Sequence, residues 1–157
     1  MKKLNYFLLS LLVIIATLDF VKTSRVYAQL PSYSLDPCAS NGSIKLSTFA
    51  NITTATTTQL VALVAGKQVF VCGFSIDMTG SATADTVILV NGTGASCGTG
   101  TTSLTPTYSS GALADAYKLY GGGLMSVITV PAGNALCVTT TVGTTPTIGI
   151  LVTYVQQ

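Results

Sequence analysis

The sequence predicts an all-β fold: an antiparallel β-sandwich of about eight short strands, arranged as a jelly roll rather than an immunoglobulin-like sandwich. Three observations predict it. Runs rich in β-branched and aromatic residues recur along the chain, each ending in a Gly, Pro or Asn turn signal. No stretch downstream of the amino terminus carries a sustained helical period. Threonine is abundant throughout, and its branched carbon favours extended backbone while its hydroxyl tolerates a wet outer face.

The strands are expected in order. Ile44 to Phe49 and Gln59 to Val64 flank the Thr-rich stretch Asn51 to Thr58. Gln68 to Ile76 is the strongest strand signal, followed by Thr86 to Val90, Met125 to Val130, Ala135 to Val142 and Thr147 to Val155. Between them lie Ala65-Gly66-Lys67, Thr79-Gly80-Ser81, Asn91-Gly92-Thr93-Gly94, Pro131-Ala132-Gly133-Asn134 and Gly143-Thr144-Thr145-Pro146, where Gly supplies positive φ and Pro presets a turn. An immunoglobulin-like core would want a tryptophan, and the chain has none.

The amino terminus reads as an export signal over residues 1–28. Lys2 and Lys3 precede the apolar stretch Tyr6 to Leu18, and Val26-Tyr27-Ala28 offers a peptidase site. The apolar run is shorter than the about 20 residues a bilayer span needs, and Asp19 and Lys22 place charges directly after it, so no retained membrane span is expected. Residues 29–43 form an amino-terminal segment and 44–157 a single sandwich domain. After cleavage three lysines face four aspartates, a net charge of −1. Without an arginine in that part, no basic stripe exists for a phosphate backbone, and nucleic acid is not an expected partner.

Composition also excludes much chemistry. The chain has no His, and its five acidic residues are all Asp. Ser-His-Asp and Cys-His nucleophile systems therefore cannot form, and imidazole metal ligands are missing. Asp77 and Asp85 flank Met78 to Ala84 and read as a solvated hairpin tip, because two carboxylates are too few for calcium. Four dispersed aspartates likewise do not make a glycosidase pair. Gly92 to Gly100 matches neither phosphate-loop pattern and reads as a strand connection tied by Cys97. No S-x-x-K sequence supports a Ser-Lys pair. The protein is expected to be no enzyme, with no cofactor and no metal.

Four cysteines in an exported chain point to two disulfides, and none has the close C-x-x-C spacing of a zinc site. If Gln68 to Met78 pairs with Asp85 to Asn91 in a hairpin turning near Ser81, Cys97 falls just beyond the strand opposite Cys72. The expected bridges are then Cys72 with Cys97 and, by elimination, Cys38 with Cys137. Tyr108, Tyr117 and Tyr120 cluster in the least regular part of the chain and are a candidate binding surface, or else caps on the sandwich edge. Asn41, Asn51 and Asn91 head sequences of the N-glycosylation type.

The succession Gly66-Lys67-Gln68-Val69-Phe70-Val71, Gly92-Thr93-Gly94, Gly121-Gly122-Gly123-Leu124, then Pro131-Ala132-Gly133-Asn134-Ala135-Leu136-Cys137-Val138-Thr139 and Gly149 to Val155 resembles small jelly-roll domains of phage decoration and fibre proteins. It is similar also to exported proteins with the same cysteine-containing strands, over about residues 57 to 155. The leader and the cysteines depart from the phage pattern. The resemblance implies a structural or interaction module that forms a homo-oligomer, a trimer being favoured, or decorates a cell or particle surface. Scarce charge and edge strands without lysine agree with association. The alternative is a small carbohydrate-binding module using Tyr, Thr and Asn. Either would be secreted, extracellular or periplasmic, with cell-surface association compatible. Without His, binding or assembly is expected to be nearly flat across neutral pH.

Overall fold

A computed structural model describes residues 36–157 apart from 41, 80, 81 and 142–146. The export signal expected at residues 1–28, Asn41, the turn at Ser81 and the turn at residues 143–146 lie outside the described residues. Asp36–Gln157 is one compact unit. It is all-β, with ten strands in two antiparallel sheets and no α-helix among the described residues. The strands are β1 (Leu46–Ile52), β2 (Thr56–Val61), β3 (Val69–Thr79), β4 (Thr86–Thr93), β5 (Thr99–Ser103), β6 (Tyr108–Ser109), β7 (Ala116–Tyr120), β8 (Ile128–Val130), β9 (Ala135–Thr141) and β10 (Thr147–Gln156).

The first sheet has the order β1-β10-β3-β7, with β8 also paired to β3; the second has the order β2-β9-β4-β5, with β6 also paired to β4. The first strand thus pairs with the last and the second with the ninth, while β3 and β4 take β7/β8 and β5/β6. Successive strands from β1 to β4 alternate between sheets, which is the jelly-roll winding. The hairpin expected between Gln68–Met78 and Asp85–Asn91 is therefore absent: β3 pairs with β10, β7 and β8 in one sheet, and β4 with β9, β5 and β6 in the other. Both β3 and β4 have an apolar face, and placing them in opposite sheets lets both faces meet in one core.

That core follows from period-two alternation. Val69, Val71, Phe74, Ile76 and Met78 of β3 meet Val87 and Leu89 of β4, Leu136 and Val138 of β9, and Ile148, Ile150 and Val152 of β10, all buried. In β3 the alternation breaks once, at Cys72. Thr153 pairs with Gly73 and Tyr154 with Val71, so Cys72 is an extra residue without a partner in the β10 register, a β-bulge. The bulge separates Cys72 from the core-facing set and places it with Cys38, Val155 and Phe70 in a small cluster of their own.

The disulfides differ from the expected ones. Cys38 is bonded to Cys72 and Cys97 to Cys137, with Cα–Cα distances of 5.4 and 6.3 Å. The reason is the winding: with no β3–β4 hairpin, Cys97 sits across the second sheet from Cys72. There Cys137 pairs in register with Val90 and Gln59, on the face opposite the core residues Val138 and Leu89. Each bridge fastens a flanking segment to a sheet away from the main core. Cys38 brings residues 36–40 onto β3, and Cys97 brings the one-turn 3₁₀ segment Ala95–Cys97 against Val90 and Ala135. Gly92 lets that segment lie close, since a Cβ there would stand 2.8 Å from the Cys97 carbonyl oxygen.

Non-reducing peptide mapping will link Cys38 with Cys72 and Cys97 with Cys137; a Cys72–Cys97 peptide would contradict the fold. With sequence separations of 34 and 40 residues, each bridge is worth about 3–4 kcal/mol on the chain-entropy model. Replacing either pair by alanines should lower Tm by about 10 °C in calorimetry.

Candidate functional site

The outer faces of the two sheets carry different chemistry. On the second sheet, residues opposite the core are largely hydroxyl-bearing. Thr57 and Thr139 share a hydrogen bond of 2.9 Å between their hydroxyls, and Thr86 and Thr141 are similarly paired. On the first sheet the same alternation exposes apolar side chains. Phe49 of β1, Leu151 of β10, Ser75 of β3 and Leu119 of β7 are consecutive cross-strand neighbours and form one row over four strands. Phe49, Leu151 and Leu119 are 74, 47 and 65% exposed. The adjacent row on the same face is Asn51, Gly149, Asp77 and Tyr117. Because Gly149 has no side chain, Asn51 Oδ1 and the Asp77 Cβ border the empty position, 3.6 and 3.9 Å from where a Cβ would stand.

On the side of the apolar row away from Gly149, along Thr153 and Gly73, the surface sinks into a hollow of about 400 Å³. Its floor is Gly73 and Ser75, with Leu119, Leu151 and Thr153 at the sides and Gly121-Gly122-Gly123 as a wall. The wall lies close because its backbone is bonded to the bulge: Gly123 N–H donates to the Cys72 carbonyl at 3.1 Å, and Val127 N–H to the Val71 carbonyl at 2.8 Å. Gly121 adopts φ +76°, and a Cβ there would stand 2.6 Å from the Cys72 carbonyl oxygen, so only glycine fits.

The segment 121–127 is also held from the amino-terminal side. The Asp36 carboxylate accepts from Cys38 N–H at 2.8 Å, Ser126 N–H at 2.8 Å and the Ser126 hydroxyl at 2.6 Å. Lys45 Nζ donates to the Gly123 carbonyl at 2.5 Å. The Ser126 hydroxyl and N–H bonds hold the Asp36 carboxyl below its ordinary value, with Cys38 N–H adding to them against a smaller opposing effect of burial.

The three candidate tyrosines separate into two places. Tyr108 and Tyr120 meet Phe74 in an aromatic cluster at the open side of the sandwich, with Phe74–Tyr120 stacked at 4.9 Å and Tyr108–Tyr120 tilted at 5.3 Å. They border a cleft of about 240 Å³ with Leu104, Pro106 and Ile128. Burial, reinforced by the neighbouring Tyr120 phenol, pushes Tyr108 up to about 12, against a Thr105 hydrogen bond that lowers it. Tyr117 lies apart from both, exposed on the outer face beside Asp77.

Asp77 and Asp85 do not form a solvated tip. Asp77 is exposed on the outer face of the first sheet, but Asp85 is fully buried beside β4. Its N–H donates to Ser110 Oγ at 3.2 Å and its carbonyl accepts from Ser110 N–H at 3.0 Å. The reason is again the missing hairpin, since Asp85 enters the second sheet next to β6. Among the described residues no group of three or more His, Cys, Asp or Glu could hold a metal ion. Asn51 is exposed. Asn91 is buried, its Nδ2 donating to the Thr102 carbonyl and its Oδ1 accepting from Asn134 Nδ2 at 2.6 Å. The apolar row was not visible in sequence, because Phe49, Leu119 and Leu151 become neighbours only through pairings between strands far apart in the chain. Period two within Thr147 to Val155 was the one signal that Leu151 faces away from the core. The chain matches no family model and no curated protein.

Gly121→Ala should destabilise the protein by about 2–4 kcal/mol in urea unfolding, because a strained φ and a backbone clash coincide; a change under about half a kcal/mol would contradict the close approach. The pH response has two ends. The lowered Asp36 contributes stability that is present above the ordinary carboxylate range and lost as pH falls through its depressed value. The raised Tyr108 contributes stability intact below its unfolded value of 10.0 and lost as pH rises towards about 12. Unfolding free energy should stay flat between about pH 5.5 and 8.5. Tyr108→Phe should remove the alkaline loss, and Asp36→Asn should be weaker than the native chain at neutral pH and converge with it in acid. A Tyr108→Phe curve that still falls like the native one would refute the alkaline assignment.

Proposed function

We propose that the protein is an exported, non-enzymatic interaction module that assembles with copies of itself, or seats on a cell or particle surface, through the outer face of its first sheet. The observation that carries this reading is the apolar row Phe49–Leu151–Leu119, interrupted only by the small Ser75, which spans four strands of the sheet and stands in water in the single chain. An isolated exposed leucine needs no explanation, but a contiguous apolar patch marks an interaction site. Little charge opposes association: Asp77 is the only charged residue in the two central rows of this face. Both edge strands on the β1/β2 side, Leu46–Ile52 and Thr56–Val61, lack charge as well. The two disulfides fit an oxidising, non-cytoplasmic compartment. Among the described residues no helix is long and apolar enough to cross a membrane.

A second reading, a small carbohydrate-binding module, is favoured by the neighbouring row. Tyr117, Asp77 and Asn51 sit together on one sheet face around the gap left by Gly149, offering a ring to stack on and polar atoms beside it. The two readings use adjacent rows and separate by mutation.

Sedimentation of the exported protein at micromolar concentration should show an oligomer, and Phe49→Ser with Leu151→Ser should weaken association by about tenfold or more. Tyr117→Ala should leave assembly within about threefold of the native chain and abolish any signal on a glycan array. A monomer at every concentration that also binds no glycan and no cell surface would overturn both readings.

A further inference from the structure

The segment that walls the hollow also ends in a projection. Leu124 and Met125, directly after Gly121-Gly122-Gly123, are 71 and 67% exposed. An exposed apolar tip of this kind would ordinarily belong to a mobile loop, but here it is bracketed by fixed backbone. Gly123 before it is bonded at both its N–H and its carbonyl, and Ser126 after it is held by the Asp36 carboxylate through N–H and hydroxyl. The Cys38–Cys72 bridge anchors the element that supplies Asp36. A tip ordered before binding loses little conformational entropy when it docks.

Tip and hollow are side by side on one surface, and their shapes are complementary in kind: two bulky unbranched or γ-branched side chains, and a depression whose floor and wall are Gly and Ser. We infer that the occupant of the hollow is the Leu124–Met125 tip of a second copy of this chain. The inference rests on the self-association reading above and gives it a contact. An apolar cavity of about 150 Å³ already admits a benzene ring, and this hollow, at about 400 Å³, has room for a Leu and a Met side chain. The exposed apolar side chains of the face together offer roughly 500 Å². With the lining of the hollow added, this comes to the low end of specific interfaces, ~600 Å² per partner, the range of a weak association. Because each chain carries both halves, every copy can give a tip and receive one, and an exchange of tips about a two-fold axis would close the contact in a dimer.

Two variants separate the halves. Leu124→Ser with Met125→Ser removes the tip, and Ser75→Lys, or independently Thr153→Lys, places a charge in the hollow. Each is checked for far-UV circular dichroism and for both disulfides before use. The native chain should associate in sedimentation at micromolar concentration, and each variant alone should associate at least about tenfold more weakly. Mixed together, the tipless and hollow-blocked variants should form mixed assemblies in native mass spectrometry, because one keeps a hollow and the other a tip. If the native chain associates and the variants do so equally well, or if both are weakened and mixing restores nothing, this contact is overturned while self-association stands. If the native chain stays monomeric, self-association itself fails and this contact with it.

Discussion

One extra residue in β3 sets much of the rest. At Cys72 the strand gains a position that β10 does not match, and three things meet there. The side chain, separated from the core-facing set, is bonded to Cys38 and so fastens the amino-terminal segment. The carbonyl, on the β7/β8 side of β3, accepts from Gly123 and holds the glycine segment. The following Gly73 leaves the floor open for that segment to approach. Bulges commonly re-aim a side chain and end regular pairing; here the same device builds the hollow on the outer face.

The two sheets share one core and diverge outside it. The second sheet turns threonine hydroxyls to solvent and hides its outward apolar residues Val90 and Ala135 under the Cys97 segment. The first hides Phe70 and Val155 under the Cys38 segment but leaves Phe49, Leu151 and Leu119 in water. Both bridges thus do the same work, covering outward apolar side chains of a sheet with a short loop. The row left uncovered stands out against that background, and it supports the reading of this face as the working surface of the module.

Much of the fold was legible because β-branched and aromatic alternation is local. The strand signals at Gln68–Ile76, Thr86–Val90, Ala135–Val142 and Thr147–Val155 all correspond to strands, and the turn at Pro131–Asn134 closes with an Asn134 N–H to Pro131 carbonyl bond. Thr99–Ser103 gave no signal, because an edge strand exposed on both sides needs no apolar period, and Ala116–Tyr120 gave none because its inward positions are Ala116, Lys118 and Tyr120 and its outward ones Tyr117 and Leu119, so polarity does not alternate. Met125 to Val130 was too long a reading: strand β8 begins at Ile128, and Met125 stands in water before it. Pairing was the larger gap. A local hairpin is the natural guess for two neighbouring strands, and it carried the disulfide pairing and the surface placement of Asp85 with it. In a jelly roll the partners are far apart in sequence, so neither followed. The tyrosines show the same limit: their spacing places them in one region, and only the register puts Tyr120 with Phe74 and Tyr117 on the opposite face of β7.

The outer face of the first sheet is the functional surface if its side chains lose access to water when the protein engages its partner. Hydroxyl-radical footprinting reads this side chain by side chain, comparing dilute protein with protein at assembling concentration or bound to its target surface. Phe49, Tyr117, Leu119 and Met125 should become protected together, while Ile88 on the outer face of the second sheet stays unchanged. Protection that falls on Ile88 and spares Phe49 and Leu119 would contradict it.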